Sequence, residues 1–285
     1  MSDRIDQFAS VFKAAEKARY QYDPPLLSRV AVLVDTLKEQ SSAYAESVCE
    51  FLKASNIVAD EFKVVGAEDF SNIRQMLDVV HAASPNLIVT HRHLHLDREE
   101  LEHSLGTYLD TLLQGTPIPV LVTPSPNTDG TPKPLEIARD VLVMTDHLLD
   151  DPKCINYGVR FVAPGGIVHL CHVEDDAIFR KYMALIERIP EIETDVAREK
   201  LRAKLLQLPT DYIASCIDAL QSESINATIK ANVRLGHRVT DYHNLIEEHA
   251  GDLLVCNTND PENLAIHPMA YAIALEFRKQ PLLLL

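Results

Sequence analysis

Short apolar runs alternate with amphipathic stretches along almost the whole chain. Val30–Asp35, Phe62–Val65, Asn86–Thr90 and Pro119–Val122 have the length and composition of buried strands. Between them, Ser41–Ala54, Phe70–Ala83 and Leu96–Leu113 predict helices. The alternation then restarts. Strands are expected at Val141–Thr145, Ile167–Val173, Ala227–Leu235, Asp252–Cys256 and Leu282–Leu285, and helices at Lys153–Val162, Asp176–Leu220, Thr240–His249 and Met269–Arg278. Pro190 and Pro209 are expected to interrupt the long Asp176–Leu220 region. Ahead of everything, Ile5, Phe8, Phe12 and Ala15 predict a helix over Ile5–Arg19, broken at Tyr22-Asp23-Pro24-Pro25. Strands alternating with helices predict an α/β fold, a parallel sheet covered on both faces.

The restart has internal order. RVAVLVDT (Arg29–Thr36) parallels DVLVMTDH (Asp140–His147), PNLIVTH (Pro85–His91) parallels GDLLVCN (Gly251–Asn257), and IPVLV (Ile118–Val122) parallels QPLLL (Gln280–Leu284). Between them lies TPSPNTDGTPKP, Thr123–Pro134, whose prolines mark a linker. The expected organisation is an N-terminal helix in 1–24, a first domain in 25–127, a linker in 128–137 and a second domain in 138–285. The first half is abbreviated, because the second carries about one more strand–helix unit and a lengthened helical segment.

Composition narrows the partners. The 285 residues hold 27 Lys+Arg and 42 Asp+Glu, a formal net charge of −15, and no Lys/Arg block. Nucleic acid is therefore not an expected partner, since phosphate binding needs a basic face. No run of 18 apolar residues predicts a membrane span. The opening MSDRIDQFAS lacks the basic and apolar regions of a signal peptide, and the five cysteines are scattered without a CxxC. A cytoplasmic protein with reduced thiols is the expectation.

The ordered blocks resemble the universal stress protein family in its tandem two-domain form. The residues that carry the resemblance are a first strand ending in Asp (VLVMTD), a second ending in His-Val (LCHV, Leu170–Val173) and a glycine after the third (RLG, Arg234–Gly236). The strand DLLV (Asp252–Val255) and a last helix leading into Pro and an apolar strand complete the set. The resemblance implies two repeated open parallel-sheet domains, five strands each in full form, of the type also called adenine nucleotide alpha-hydrolase-like. It implies that the last strands of the two halves lie side by side, so that one chain is a dimer-like unit. A C-terminal LLLL strand left uncovered would otherwise be an aggregation hazard.

The resemblance also implies an ATP pocket built on the Asp ending strand one, the Val after His in strand two, and a loop of form GxxG followed by Gly-Ser or Gly-Thr. Asp35 matches in the first half, Asp146 and Val173 in the second, and Gly106-Thr107 keeps the terminal Gly-Thr. The other glycines are gone. His91 and Leu94 stand there in the first half, and Asn257, Asp260 and Pro268-Met269 in the second. Proline has no N–H to offer and Asp260 would repel a triphosphate. The motif reads as degenerate, and no cofactor is expected.

Histidines gather where the glycines are lost. In THRHLH, His91, His93 and His95 would share one face if extended, and three imidazoles match the ligand count of a zinc site. The ordinary alternative is a polar loop with solvated rings. Asp146, His147, His172, His237, Asn257 and His267 are expected near the strand ends of the second half. Catalytic motifs such as GxSxG, GxxxxGK[ST], HExxH and GxGxxG do not occur. The expected function is non-enzymatic binding of a partner protein or small ligand in the stress response. The alternatives are an ATP-binding regulator, or a divalent-metal protein or hydrolase using the histidines. The segment Ile178–Leu220 alternates apolar and charged stripes, either core-covering helices or a surface for a homodimer or another partner.

Overall fold

The computed structural model describes residues 20–36, 38–95, 104–127, 129, 131–144, 152–260 and 263–285. The first half builds β1 (Arg29–Leu33), α1 (Lys38–Ala54), β2 (Glu61–Val65), α2 (Ile73–Ala83), β3 (Leu87–His91), α3 (Thr107–Gly115) and β4 (Val120–Thr123). The second builds β5 (Asp140–Met144), α4 (Pro152–Phe161), β6 (Gly166–Asp175), α5 (Asp176–Ile186), α6 (Thr194–Ser222), β7 (Ala227–Gly236), α7 (Arg238–His249) and β8 (Leu253–Cys256). A hairpin of β9 (Asn259–Asp260) and β10 (Asn263–Ile266) follows, then α8 (Pro268–Glu276) and β11 (Leu282–Leu284).

Nine strands form one sheet in the order β2-β1-β3-β4-β11-β8-β5-β6-β7. Neighbours run parallel except β4 and β11, which are antiparallel, with Leu282, Leu283 and Leu284 opposite Val122, Leu121 and Val120. β11 is thus the seam of the sheet, paired on its other side with β8. Its leucines are buried, each contributing about 2 kcal/mol of transfer free energy. The first half supplies four strands and the second five.

Strand alternation divides the core into two layers. Val30, Val32, Val89, Leu121, Val143, Val255 and Leu283 point to one face, under α1, α4 and the second half of α6. Leu33, Ile88, Val122, Leu142, Leu254 and Leu284 point to the other, under α2, α3, α7 and α8. Each layer draws on both halves without interruption. Polar contacts cross the seam too: Tyr20 donates to Asn156 Oδ1 at 2.7 Å, and Arg160 donates to the carbonyls of Ser55 and Asn56, both at 3.1 Å. Among the described residues no helix is long and apolar enough to cross a membrane.

Three expectations need correction. Of the helix expected over Leu96–Leu113, residues 104–106 are not helical and the described helix begins at Thr107, while residues 92–95 form a turn. Residues 96–103 lie outside the described residues, as does the N-terminal helix expected over 5–19. Pro190 does break the long helical segment, but Pro209 sits inside α6 without ending it. Its buried ring packs where the helix meets the core, and that packing outweighs one missing backbone bond. The Asn259–Ile266 hairpin was not expected, because its polar run with Pro261 carries no strand periodicity.

Candidate functional site

The strand order reverses between β1 and β3. In an open parallel sheet, ligands bind beyond the carboxyl ends at such a switch point. Asp35 lies there, two residues past β1, and the chain leaving β3 turns over it at Arg92–His95. His93 and His95 hold left-handed backbone at φ 60° and 58°. That conformation costs of order 1 kcal/mol or more per residue and persists only where the surroundings fix it.

What fixes it is Asp35. One carboxylate oxygen lies 2.9 Å from His91 Nε2, and the other accepts the His95 backbone N–H at 2.7 Å. Burial by itself would raise the Asp35 pKa. The hydrogen bond and charge of His91, with the His95 amide, outweigh burial and hold it at about 2. On its far side His91 Nδ1 donates to the Arg92 carbonyl at 2.8 Å. The ring meets Tyr44 edge-on at 5.9 Å, and the Tyr44 hydroxyl lies 2.6 Å from Thr123 Oγ1 at the end of β4.

The rest of the turn is equally engaged. Leu94 is fully buried. His93 Nδ1 lies 3.2 Å from Ser125 Oγ and its Nε2 3.1 Å from the Ser104 carbonyl. The His95 ring packs against Phe70 at 4.7 Å and Tyr108 at 5.0 Å. Arg92 is 2 % exposed and donates to the carbonyls of Ala274 and Phe277, at the end of α8. These two carbonyl oxygens at a helix carboxyl end stand in for a carboxylate partner. Burial lowers the Arg92 pKa to about 10, aided by the nearby Arg278 charge. Arg92 was not singled out from the sequence, where an arginine between two histidines carries no signal of burial.

The three imidazoles therefore do not share one face. β3 ends at His91, the next residues turn, and each ring has its own surroundings. Among the described residues no group of three or more His, Cys, Asp or Glu is placed to hold a metal ion. Gly106 precedes α3 with φ 97° and ψ 144°, a conformation glycine tolerates, and its N–H donates to Ser104 Oγ at 3.0 Å. Thr107 opens the helix, exposed to solvent. Asp35, His91, His95 and the Gly106–Tyr108 stretch thus meet at one edge.

Val173 lies on β6, six strand positions from β1, or about 29 Å at 4.8 Å per strand. It is fully buried, and its N–H donates to the hydroxyl of buried Tyr242 at 3.3 Å. Asp146 and His147 lie outside the described residues. Nearby, His172 Nε2 sits 3.2 Å from Glu174 Oε2, and His237 Nδ1 3.1 Å from Thr240 Oγ1. Beyond β8, Thr258 donates to the Leu285 carbonyl at 2.8 Å, and the chain enters the β9–β10 pair. α8 then begins on Pro268.

Two further features stand apart. A cavity of about 250 Å³ opens beyond β1 and β2, lined by Thr36, Ser41, Ser42, Gly66, Glu68 and Asp69. It is smaller than a typical ligand pocket of at least about 300 Å³, and its carboxylates disfavour a triphosphate. Near the amino end of β5, His169 stacks on His249 with centroids 4.1 Å apart and lies 3.1 Å from Asp140. Burial lowers the His169 pKa, and the hydrogen bond from Asp140 offsets this in part.

No protein-family model matches the chain, and no curated protein matches it significantly. Solved structures do. A protein of unknown function from Pseudomonas aeruginosa PAO1 aligns at 15% identity and TM-score 0.55, covering 91% of this chain and 82% of its own. A candidate universal stress protein from Pseudomonas aeruginosa UCBPP-PA14 aligns at 14% identity and TM-score 0.54, covering 91% and 83%. The chain thus has an α/β fold, with one mixed, mostly parallel sheet, similar to that of the universal stress proteins.

Proposed function

We propose that this chain is a non-enzymatic binding protein of the universal stress protein type, in which the ancestral nucleotide crevice of the first half is filled by the chain's own turn. The observation that carries the reading is the double engagement of Asp35. Both of its oxygens are occupied, one by the His91 ring and one by the His95 amide, and Leu94 in the same turn is fully buried. A nucleotide base entering there would have to break both contacts of a partly buried carboxylate. The second half supports the same reading, since the Val173 amide already has an internal partner and Pro268 offers no N–H to a phosphate.

Such a protein acts by presenting a surface, to a partner protein or a small ligand, in the response to stress. Equilibrium binding of labelled ATP to the full chain tests the reading. The expected result is no saturation below millimolar ATP. Saturable micromolar binding that is lost on Asp35→Ala would overturn it.

A further inference from the structure

The helices inserted between β6 and β7 carry more surface than the core uses. α6 has 29 residues, about 43 Å of helix. Its buried residues are Pro209, Tyr212, Ile213, Cys216 and Leu220, all in the second half. From Thr194 to Leu208 no residue is buried, and α6 packs against α5 as well as against β6 and β7. α5 in turn buries Phe179 and Met183 and leaves the rest of its apolar side chains outward. Ile178, Tyr182 and Leu185 follow one another at helical spacing, and Ile189, Ile192 and Val196 extend the series through the turn into α6. These six are each 38–55 % exposed.

Exposure on that scale sums to roughly 400–500 Å² of apolar surface, in the range of the largest patch on a monomer, which is often functional. A standard interface buries about 800 Å² per partner, of which about 56–65 % is apolar, so this patch supplies the apolar share of one complete interface.

Charge identifies the occupant. The whole chain carries −15, yet residues 176–204 hold seven basic and six acidic side chains. They are also sorted. Glu191, Glu193 and Asp195 lie at the turn and the start of α6, and Lys200, Arg202 and Lys204 follow within three helical turns. A strongly acidic partner would be repelled by the former and a basic one by the latter. A second copy placed antiparallel satisfies both. With a two-fold axis near residue 198, residues 200, 202 and 204 of one copy stand opposite residues 196, 194 and 192 of the other, among its three acids. Arg198, at the axis, already pairs with Glu187 of its own chain at 3.0 Å.

We propose that the α5–α6 arm is a self-complementary interface through which two copies of this chain form an isologous dimer. The sheet is not extended by this contact, and the Asp35 edge takes no part in it.

Sedimentation of the full chain at about 1 to 100 µM in moderate salt tests the proposal. Wild type is expected to be dimeric in that range. Replacing Leu185→Glu and Ile189→Glu together should weaken the dimer by tenfold or more. Replacing Glu191→Lys and Glu193→Lys should also weaken it by roughly tenfold, and adding Lys200→Glu and Arg202→Glu in the same chain should restore it. The four charged residues are surface side chains, so the charge series decides the matter even if the apolar double variant folds poorly. A chain that sediments as a monomer throughout, or a dimer whose dissociation constant none of these changes moves, would overturn the proposal.

Discussion

Replacing Asp35 by asparagine isolates the charge at the switch point while keeping its shape. The asparagine oxygen can still accept the His95 amide, and its NH2 can donate to a neutral His91 ring whose Nδ1–H stays on the Arg92 carbonyl. What is lost is the carboxylate charge beside His91. The native carboxyl group titrates at about 2 against 3.8 when unperturbed. At 1.36 kcal/mol per pH unit, that difference is worth about 2 kcal/mol of stability. Because the native pKa lies below the unfolded one, the unfolded chain takes up the proton first on acidification. The stabilisation is complete above about pH 4 and is lost as pH falls through about 2, so roughly half has gone by pH 3. Urea unfolding of wild type and Asp35→Asn at pH 7, 4 and 3 is the assay. The expected destabilisation is about 2 kcal/mol at pH 7, shrinking toward about 1 kcal/mol at pH 3 with unchanged m-values. Asp35→Ala should cost a further 1–3 kcal/mol, roughly, by leaving the His95 amide without an acceptor. A difference between wild type and Asp35→Asn that does not change with pH would refute the account of a stabilised carboxylate.

Four other substitutions probe the surrounding structure. Gly106→Ala forces a Cβ into a region reserved for glycine, and thermal unfolding should show a loss of about 1–3 kcal/mol. Gly158→Ala drives a Cβ from α4 into the Val143 side chain and should cost about 1–3 kcal/mol by the same measure, with β5 shifted outward. Tyr20→Phe removes the buried hydroxyl bound to Asn156 across the seam, and chemical denaturation should register roughly 1 kcal/mol. His169 has a lowered native pKa, so the unfolded chain protonates first and stability falls as pH drops below about 6.5. His169→Asn should flatten that part of the stability–pH curve.

Much of this architecture is legible in the residue order. The apolar runs at Val30, Leu87, Val120, Val141, Ile167, Leu253 and Leu282 all became buried strands, because a strand covered on both faces has no polar positions to hide it. β7 was legible for the opposite reason: at the edge of the sheet its alternation survives. The similar sequence blocks locate the ends of the strands, and hence Asp35. What sequence could not give was the path after β3. THRHLH reads equally well as strand, helix start or loop, and the deciding contacts come from Asp35, Phe70 and Ser125, distant in the chain. Arg92 shows the same limit, for its acceptors are carbonyls some 180 residues away. Pro209 shows another, since a local rule about helix breaking yielded to packing.

The seam strand also sets a timetable for synthesis. About 160 residues separate Thr123 from Leu282, so at roughly 5–20 residues per second a ribosome needs on the order of 8–30 seconds to deliver the partner of β4. Throughout that interval the nascent first half presents a raw row of amides and carbonyls flanked by Val120, Leu121 and Val122.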